Sequence, residues 1–144
     1  MALSTTTDHG DTWSAAQIVS TVPTTVFPWV AAYNGKVDVV YYGTFAASKD
    51  DPAAVWNTYD AQLSGGIWRE LKVSNTPNHV GVICTHGTGC RNPLVTRTLL
   101  DLFEVAENPL TGKASIMYTD DTFDTRTLNG TTYPLPEVVL AQEN

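Results

Sequence analysis

Residues 6–13 read Thr-Thr-Asp-His-Gly-Asp-Thr-Trp, and they limit what the chain can fold into more tightly than any other segment. A carboxylate at Asp8 accepts hydrogen bonds from the backbone N–H groups of its own turn. Gly10 supplies a position with φ > 0, and Trp13 offers an aromatic face for packing the turn against a sheet. With Thr6 and Thr12 completing the set, the segment predicts a stapled hairpin between two antiparallel strands. Such a turn folds a sheet and carries no catalysis.

The remainder of the chain reads as strand after strand. Short β-branched or aromatic runs, bounded by Gly, Pro, Asn and Asp, recur over residues 27–33, 37–43, 55–63, 68–74, 100–106, 114–119 and 136–142. The expectation is an all-β protein. One stretch, residues 96–107, has helical spacing through Leu99, Leu100, Leu102, Phe103 and Val105, but an internal repeat assigns a strand there. With 144 residues, 42% apolar and 16% charged, the chain suits one core and a single domain over residues 1–144.

The repeat appears when the second half is laid under the first. Val30-Ala31-Ala32-Tyr33-Asn34-Gly35-Lys36-Val37-Asp38-Val39-Val40-Tyr41 is answered by Val105-Ala106-Glu107-Asn108 and, after a short insertion, Gly112-Lys113-Ala114-Ser115-Ile116-Met117-Tyr118. Each is a strand, a tight hairpin and a second strand. Ala61-Gln62 then answers Ala141-Gln142. Trp68-Arg69-Glu70-Leu71-Lys72-Val73-Ser74 answers residues 13–20, and Ser64-Gly65-Gly66-Ile67-Trp68 looks like the opening turn without its Asp. One unit is therefore four antiparallel strands, A to D, with the turn between C and D: a propeller blade. In order the chain supplies strand D (13–20), a whole blade (27–74) and strands A to C of the next (99–142), two blades with one split between the chain ends. Two blades cannot close a ring. The expectation is head-to-tail association, strand D of one copy completing the A–C sheet of the next. The competing expectation is a piece of a longer chain.

Residues 6–13, with Val30-Ala31-Ala32-Tyr33-Asn34-Gly35-Lys36-Val37 and Phe103-Glu104-Val105-Ala106-Glu107-Asn108-Pro109, resemble the sialidase-like Asp-box (BNR-repeat) propellers. The resemblance implies antiparallel blades in a ring of six, hence a homotrimer rather than a tetramer of eight. It also implies, for enzymes of that family, three arginines on a substrate carboxylate, a Tyr/Glu nucleophile pair and an Asp acid/base. This chain has only Arg69, Arg91, Arg97 and Arg126, none followed by the Ile-Pro that is usual after the first of the three. No residue carries over as catalytic.

Blade topology places the B-to-C and D-to-A connections on one face, where function sits on a rigid scaffold. These are residues 44–54 with Lys49, Asp50 and Asp51, residues 75–98 with His79, His86, Arg91 and Arg97, and residues 120–134 with Asp121, Asp124 and Arg126. Candidate binding residues are His86, Arg91, Arg97, Asp121 and Arg126. The middle loop holds both cysteines, and Cys84-Thr85-His86-Gly87-Thr88-Gly89-Cys90 predicts a small disulfide ring. A metal set of Cys84, His86 and Cys90 lacks a fourth ligand. A disulfide suits an extracellular or periplasmic setting. Asp120, Asp121 and Asp124 invite a calcium reading but lack the spacing of a calcium loop, and are expected as solvated turn carboxylates. Asp50 and Asp51 read as a polar turn ahead of Pro52, not a glycosidase pair. Trp29, Tyr33, Trp56 and Tyr59 are expected to pack within blades. No metal or other cofactor is implied.

A formal charge of −7, without a run of Lys or Arg, argues against nucleic acid or an anionic membrane as partner. There is no stretch of 18 apolar residues, and residues 1–10 read as neither a signal peptide nor a span. Two function classes remain. One is an oligomeric binding or structural propeller whose repeated face takes glycans or another small polar ligand. The other is an exo-glycosidase of sialidase type, with Arg91, Arg97 or Arg126 holding a carboxylate and Glu104 or a Tyr doing chemistry. A threefold ring presents every residue three times around its axis, whereas one sugar needs an asymmetric set, which favours binding.

Overall fold

The fold follows from two-residue turns that reverse the chain between apolar strands. In the computed structural model, which describes residues 1–90, 92–99 and 103–144, β1 (Ala2–Leu3) and β2 (Gln17–Ile18) form a short ribbon around the opening turn. Then β3 (Thr24–Tyr33), β4 (Lys36–Thr44), β5 (Val55–Ser64) and β6 (Ile67–Lys72) make an antiparallel meander, with β7 (His79–Val80) added to β5. A four-residue helix, α1 (Pro93–Thr96), precedes a second meander of β8 (Glu104–Glu107), β9 (Ala114–Leu128) and β10 (Thr131–Gln142). Asn34 and Gly35, at φ 49° and 79°, occupy the left-handed positions that a turn matched to strand twist requires. Gly65–Gly66 and Asn129–Gly130 repeat that turn. The protein is all-β, its antiparallel sheets open rather than closed.

Strand periodicity divides the core in two. On β4, Val39 and Tyr41 point to one side and pack with Val19, Val22, Tyr59 and Ala61, while Val40 and Tyr42 point to the other and pack with Trp56, Leu99, Phe103, Val105, Ile116 and Tyr118. The first meander is thus the middle layer, with the N-terminal segment on one face and the second meander on the other. Glu70 ties down the N-terminal layer: Ser20 Oγ donates to it at 3.0 Å, Thr21 N at 3.1 Å, and the Tyr41 hydroxyl also donates. On the opposite face Tyr42 reaches β9, its hydroxyl accepting from Thr119 N at 2.8 Å and donating to Thr119 O at 3.3 Å.

The internal repeat holds in register. Val39 pairs with Ala61 as Ile116 pairs with Ala141, and Val30 pairs with Val39 as Val105 pairs with Ile116. Residues 27–74, expected as one blade, form the antiparallel meander β3 to β6, and residues 99–142, expected as strands A to C, hold the three-stranded sheet β8 to β10. Several expectations need correction. Strand D over 13–20 shrinks to Gln17–Ile18, and Trp13 is 63% exposed instead of packed on a sheet, its indole N–H bound to Gly10 O at 3.1 Å. Residues 120–134 are not a loop: β9 runs on to Leu128 and β10 begins at Thr131, because Asn129–Gly130 closes a tight turn. Trp56 and Tyr59 are buried, but Trp29 and Tyr33 are exposed. The helical reading of 96–107 gives way to β8 from Glu104; Leu100 and Leu102 lie outside the described residues.

Candidate functional site

Two dipeptides meet where the sheets join: Asn78-His79, in the connection after β6, and Asp120-Asp121, on β9. All four side chains are buried, so their polar groups must be satisfied by one another. Asn78 Nδ2 donates to Asp120 Oδ2 at 3.0 Å, and Thr58 Oγ1 donates to Asn78 Oδ1 at 2.9 Å. His79 Nδ1 lies 2.6 Å from Asp121 Oδ2, and the Thr98 hydroxyl donates to the same oxygen. The backbone joins in, with Asp121 N donating to Asn78 O at 3.0 Å. This corrects the expectation of solvated turn carboxylates for Asp120 and Asp121. Only Asp124 is exposed, its Oδ1 accepting from Thr125 N at 2.7 Å.

Beside this polar knot is a partly open cleft of about 110 Å³, lined by Phe27, His79, Ile83, Thr85, Arg97 and Leu99 among others. Its walls come from separate parts of the chain. Ile83 N donates to Lys49 O at 3.1 Å and Gly81 N to Ala54 O at 2.8 Å, so residues 45–54 brace the loop that carries the cleft. The predicted disulfide is formed between Cys84 and Cys90, with Cα atoms 5.8 Å apart, and Cys84 N donates to Thr96 O at 2.9 Å. Phe27 enters from β3 at a bulge, where the pairing with β4 shifts between Val26 and Trp29. Its φ of 53° is a left-handed conformation that a bulky side chain seldom adopts. The bulge turns the ring inward, edge-on to Tyr42 at 6.5 Å between centroids.

Arg97 is the cleft's cation. It is half-buried and has no acidic partner among the described residues. A guanidinium in that position prefers an anionic or strongly polar ligand group. At roughly 30 Å³ per water, the cleft holds a few waters or the tip of a ligand, and is smaller than the roughly 300–1,000 Å³ of a site that encloses a whole small molecule.

Of the residues singled out in the sequence, Arg97 and Asp121 come together here. Asp121 is buried and engaged through Oδ2 by His79 and Thr98, which makes it a support of the cleft. His86 is exposed on the disulfide loop, Arg126 is exposed far along β9 opposite Tyr133, and Arg91 lies outside the described residues. Glu104 stands on the outward face of the second meander beside Met117, away from the cleft lining. The residues that sequence reading passed over are Phe27, Thr98 and His79 as a buried anchor. The facing dipeptides Asn78-His79 and Asp120-Asp121 were the available signal.

Among the described residues, no group of three or more His, Cys, Asp or Glu is arranged to hold a metal ion, and no helix is long and apolar enough to cross a membrane. The chain matches no protein-family model, no curated protein and no solved structure.

Proposed function

We propose that this chain is a two-blade unit of an Asp-box propeller, completed to a six-bladed homotrimer, and that it works as a binding scaffold whose cleft at Arg97 takes a polar end of a glycan or similar small ligand. The observation that supports assembly is the outward face of the second meander. Met117, Val138 and Leu140 are 43%, 63% and 61% exposed there, an apolar patch of the kind that marks an interface. Arg97, without an acidic partner among the described residues and lining the same cleft as a strained aromatic, supports binding. The burial of Asp121, with its Oδ2 taken by His79 and Thr98, and the remoteness of Glu104 weigh against the glycosidase reading.

Light scattering in solution, paired with ligand screening against acidic and neutral glycans, tests the proposal. A mass three times the 15.6 kDa of one chain, and binding lost in Arg97→Ala, are the expected results. A stable monomer overturns the assembly. Turnover of a fluorogenic sialoside, abolished by Arg97→Ala or Arg126→Ala, overturns the binding-only reading.

A further inference from the structure

At the hairpin end of the joint between the two meanders, the packing changes from apolar to acidic. Asp38 on β4 is fully buried and Asp60 on β5 is 4% exposed. Glu107 on β8 closes over them, and both its carboxylate oxygens are buried without a hydrogen-bond partner, as is Oδ1 of Asp60. Asp38 and Asp60 lie diagonally across β4 and β5 on one face, and β8, which carries Glu107, packs against β4. A fourth acid, Glu143, follows β10. One cation faces them all: Lys36 Nζ is 3.2 Å from Asp38 Oδ2, 2.6 Å from Glu143 Oε2, and donates to Gly112 O at 3.1 Å. Gln62 Nε2 donates to Asp38 Oδ1 at 2.9 Å.

Glu143 is exposed and already accepts from Lys36 Nζ and Ala114 N, but one ammonium cannot also neutralise three carboxylates whose oxygens are buried. Asp38 already takes Lys36 and Gln62, while Asp60 and Glu107 each present an oxygen toward it with nothing to accept. If those two carry protons, one oxygen of each becomes a donor and Asp38, whose Oδ2 also lacks a hydrogen-bond partner, becomes the shared acceptor, leaving only the second oxygen of Glu107 without one. We infer that Asp38, Asp60 and Glu107 form a proton-sharing latch between the two meanders, closed when Asp60 and Glu107 are protonated and loosened when they ionise.

Burial first, then the charge of Asp38 and hydrogen bonding to it, raise Asp60 from 3.8 to about 8; burial and Asp38 push Glu107 up as well. The latch belongs to this joint alone. In the second repeat Asp38 is replaced by Ser115 and Asp60 by Leu140. Because Asp60 holds its proton more tightly folded than unfolded, its contribution is complete below pH 3.8 and is lost as pH rises through about 8.

Urea unfolding from about pH 5 to about pH 9 tests this, since each retained proton lowers the folded-to-unfolded ratio by about tenfold per pH unit. The wild-type midpoint is expected to fall with rising pH. Asp60→Asn, an uncharged hydrogen-bond donor, should flatten that fall and exceed the wild type at the alkaline end. Infrared spectra of the wild type provide a second reading independent of any variant: a protonated-carboxyl band present in the folded protein near neutrality and gone at about pH 9. Equal pH slopes in wild type and Asp60→Asn, or no such band, overturn the latch. So does a rise in the alkaline midpoint with added calcium as large as that produced by acidification, because the carboxylates would then hold a cation.

Discussion

Met117 and Leu140 stand opposite one another on β9 and β10, 43% and 61% exposed, at the same register that Val40 and Asp60 occupy on β4 and β5. In the first meander that pair is sealed, at 0% and 4%, because the second meander lies over it. The same surface of the repeat is therefore covered once and bare once.

Leu140→Lys separates assembly from folding. The position is exposed within one chain, so stability should change by no more than about 0.5 kcal/mol. Placing an ammonium in a buried interface forfeits apolar burial worth about 1.5–3 kcal/mol, so self-association should weaken by at least about tenfold. Light scattering over a concentration series reads the second quantity and urea unfolding the first. Unchanged association would exclude this face from the interface.

Two substitutions at the cleft should behave oppositely. Asp121→Ala strips His79 and Thr98 of their common acceptor and should cost about 2–4 kcal/mol of stability. Arg97→Ala removes a group with no acidic partner among the described residues, and should leave stability within about 0.5 kcal/mol while abolishing ligand binding. Equal losses of stability in the two variants would place Arg97 in the supporting structure.

Reducing the Cys84–Cys90 bridge, or replacing it by Cys84→Ser with Cys90→Ser, releases a ring with a sequence separation of 6. Loop-closure entropy for so short a ring amounts to about 2 kcal/mol. The bridged segment lines the cleft and is held to α1 through Cys84 N and Thr96 O, so the loss should appear there first. Amide exchange at Cys84 and Ile83 should speed up before exchange in β4 and β5 does.

How much of this was legible depends on the range of the interactions. Hairpins could be read because Asn34–Gly35 and the β-branched and aromatic run along 37–43 are local signals, and the repeat pointed to β8 to β10 by analogy with β3 to β5. Burial of Asp120 and Asp121 was not legible. A carboxylate reads as solvated until its partners are known, and Asn78, His79 and Thr98 lie tens of residues away. Phe27 was hidden for another reason: a bulge is a pairing error of one residue, which periodicity over a short strand does not register. Trp29 and Tyr33 were expected to pack because they are aromatic and on a strand, but pattern does not show how much of a strand another layer covers.

The opening turn makes the sharpest pH prediction. Asp8 Oδ2 accepts from Thr12 Oγ1 at 2.6 Å, and Oδ1 accepts from Thr6 Oγ1 at 2.7 Å and Thr12 N at 2.9 Å. These bonds, that to the Thr12 hydroxyl foremost, hold its carboxyl down from 3.8 to about 2. A folded value below the unfolded one means that the contribution is present above pH 3.8 and lost as pH falls through about 2. Acid should therefore fray the turn, read as faster exchange of the Thr12 amide and a change in Trp13 fluorescence, and Asp8→Asn should remove that step. The sign is opposite to that of Asp60, whose stabilisation is lost on the alkaline side. Acid should open the N-terminal turn while the joint between the meanders stays closed, and base should loosen the joint while the turn stays intact. If both regions loosened on the same side of neutrality, the carboxylate assignments at Asp8 and Asp60 could not both stand.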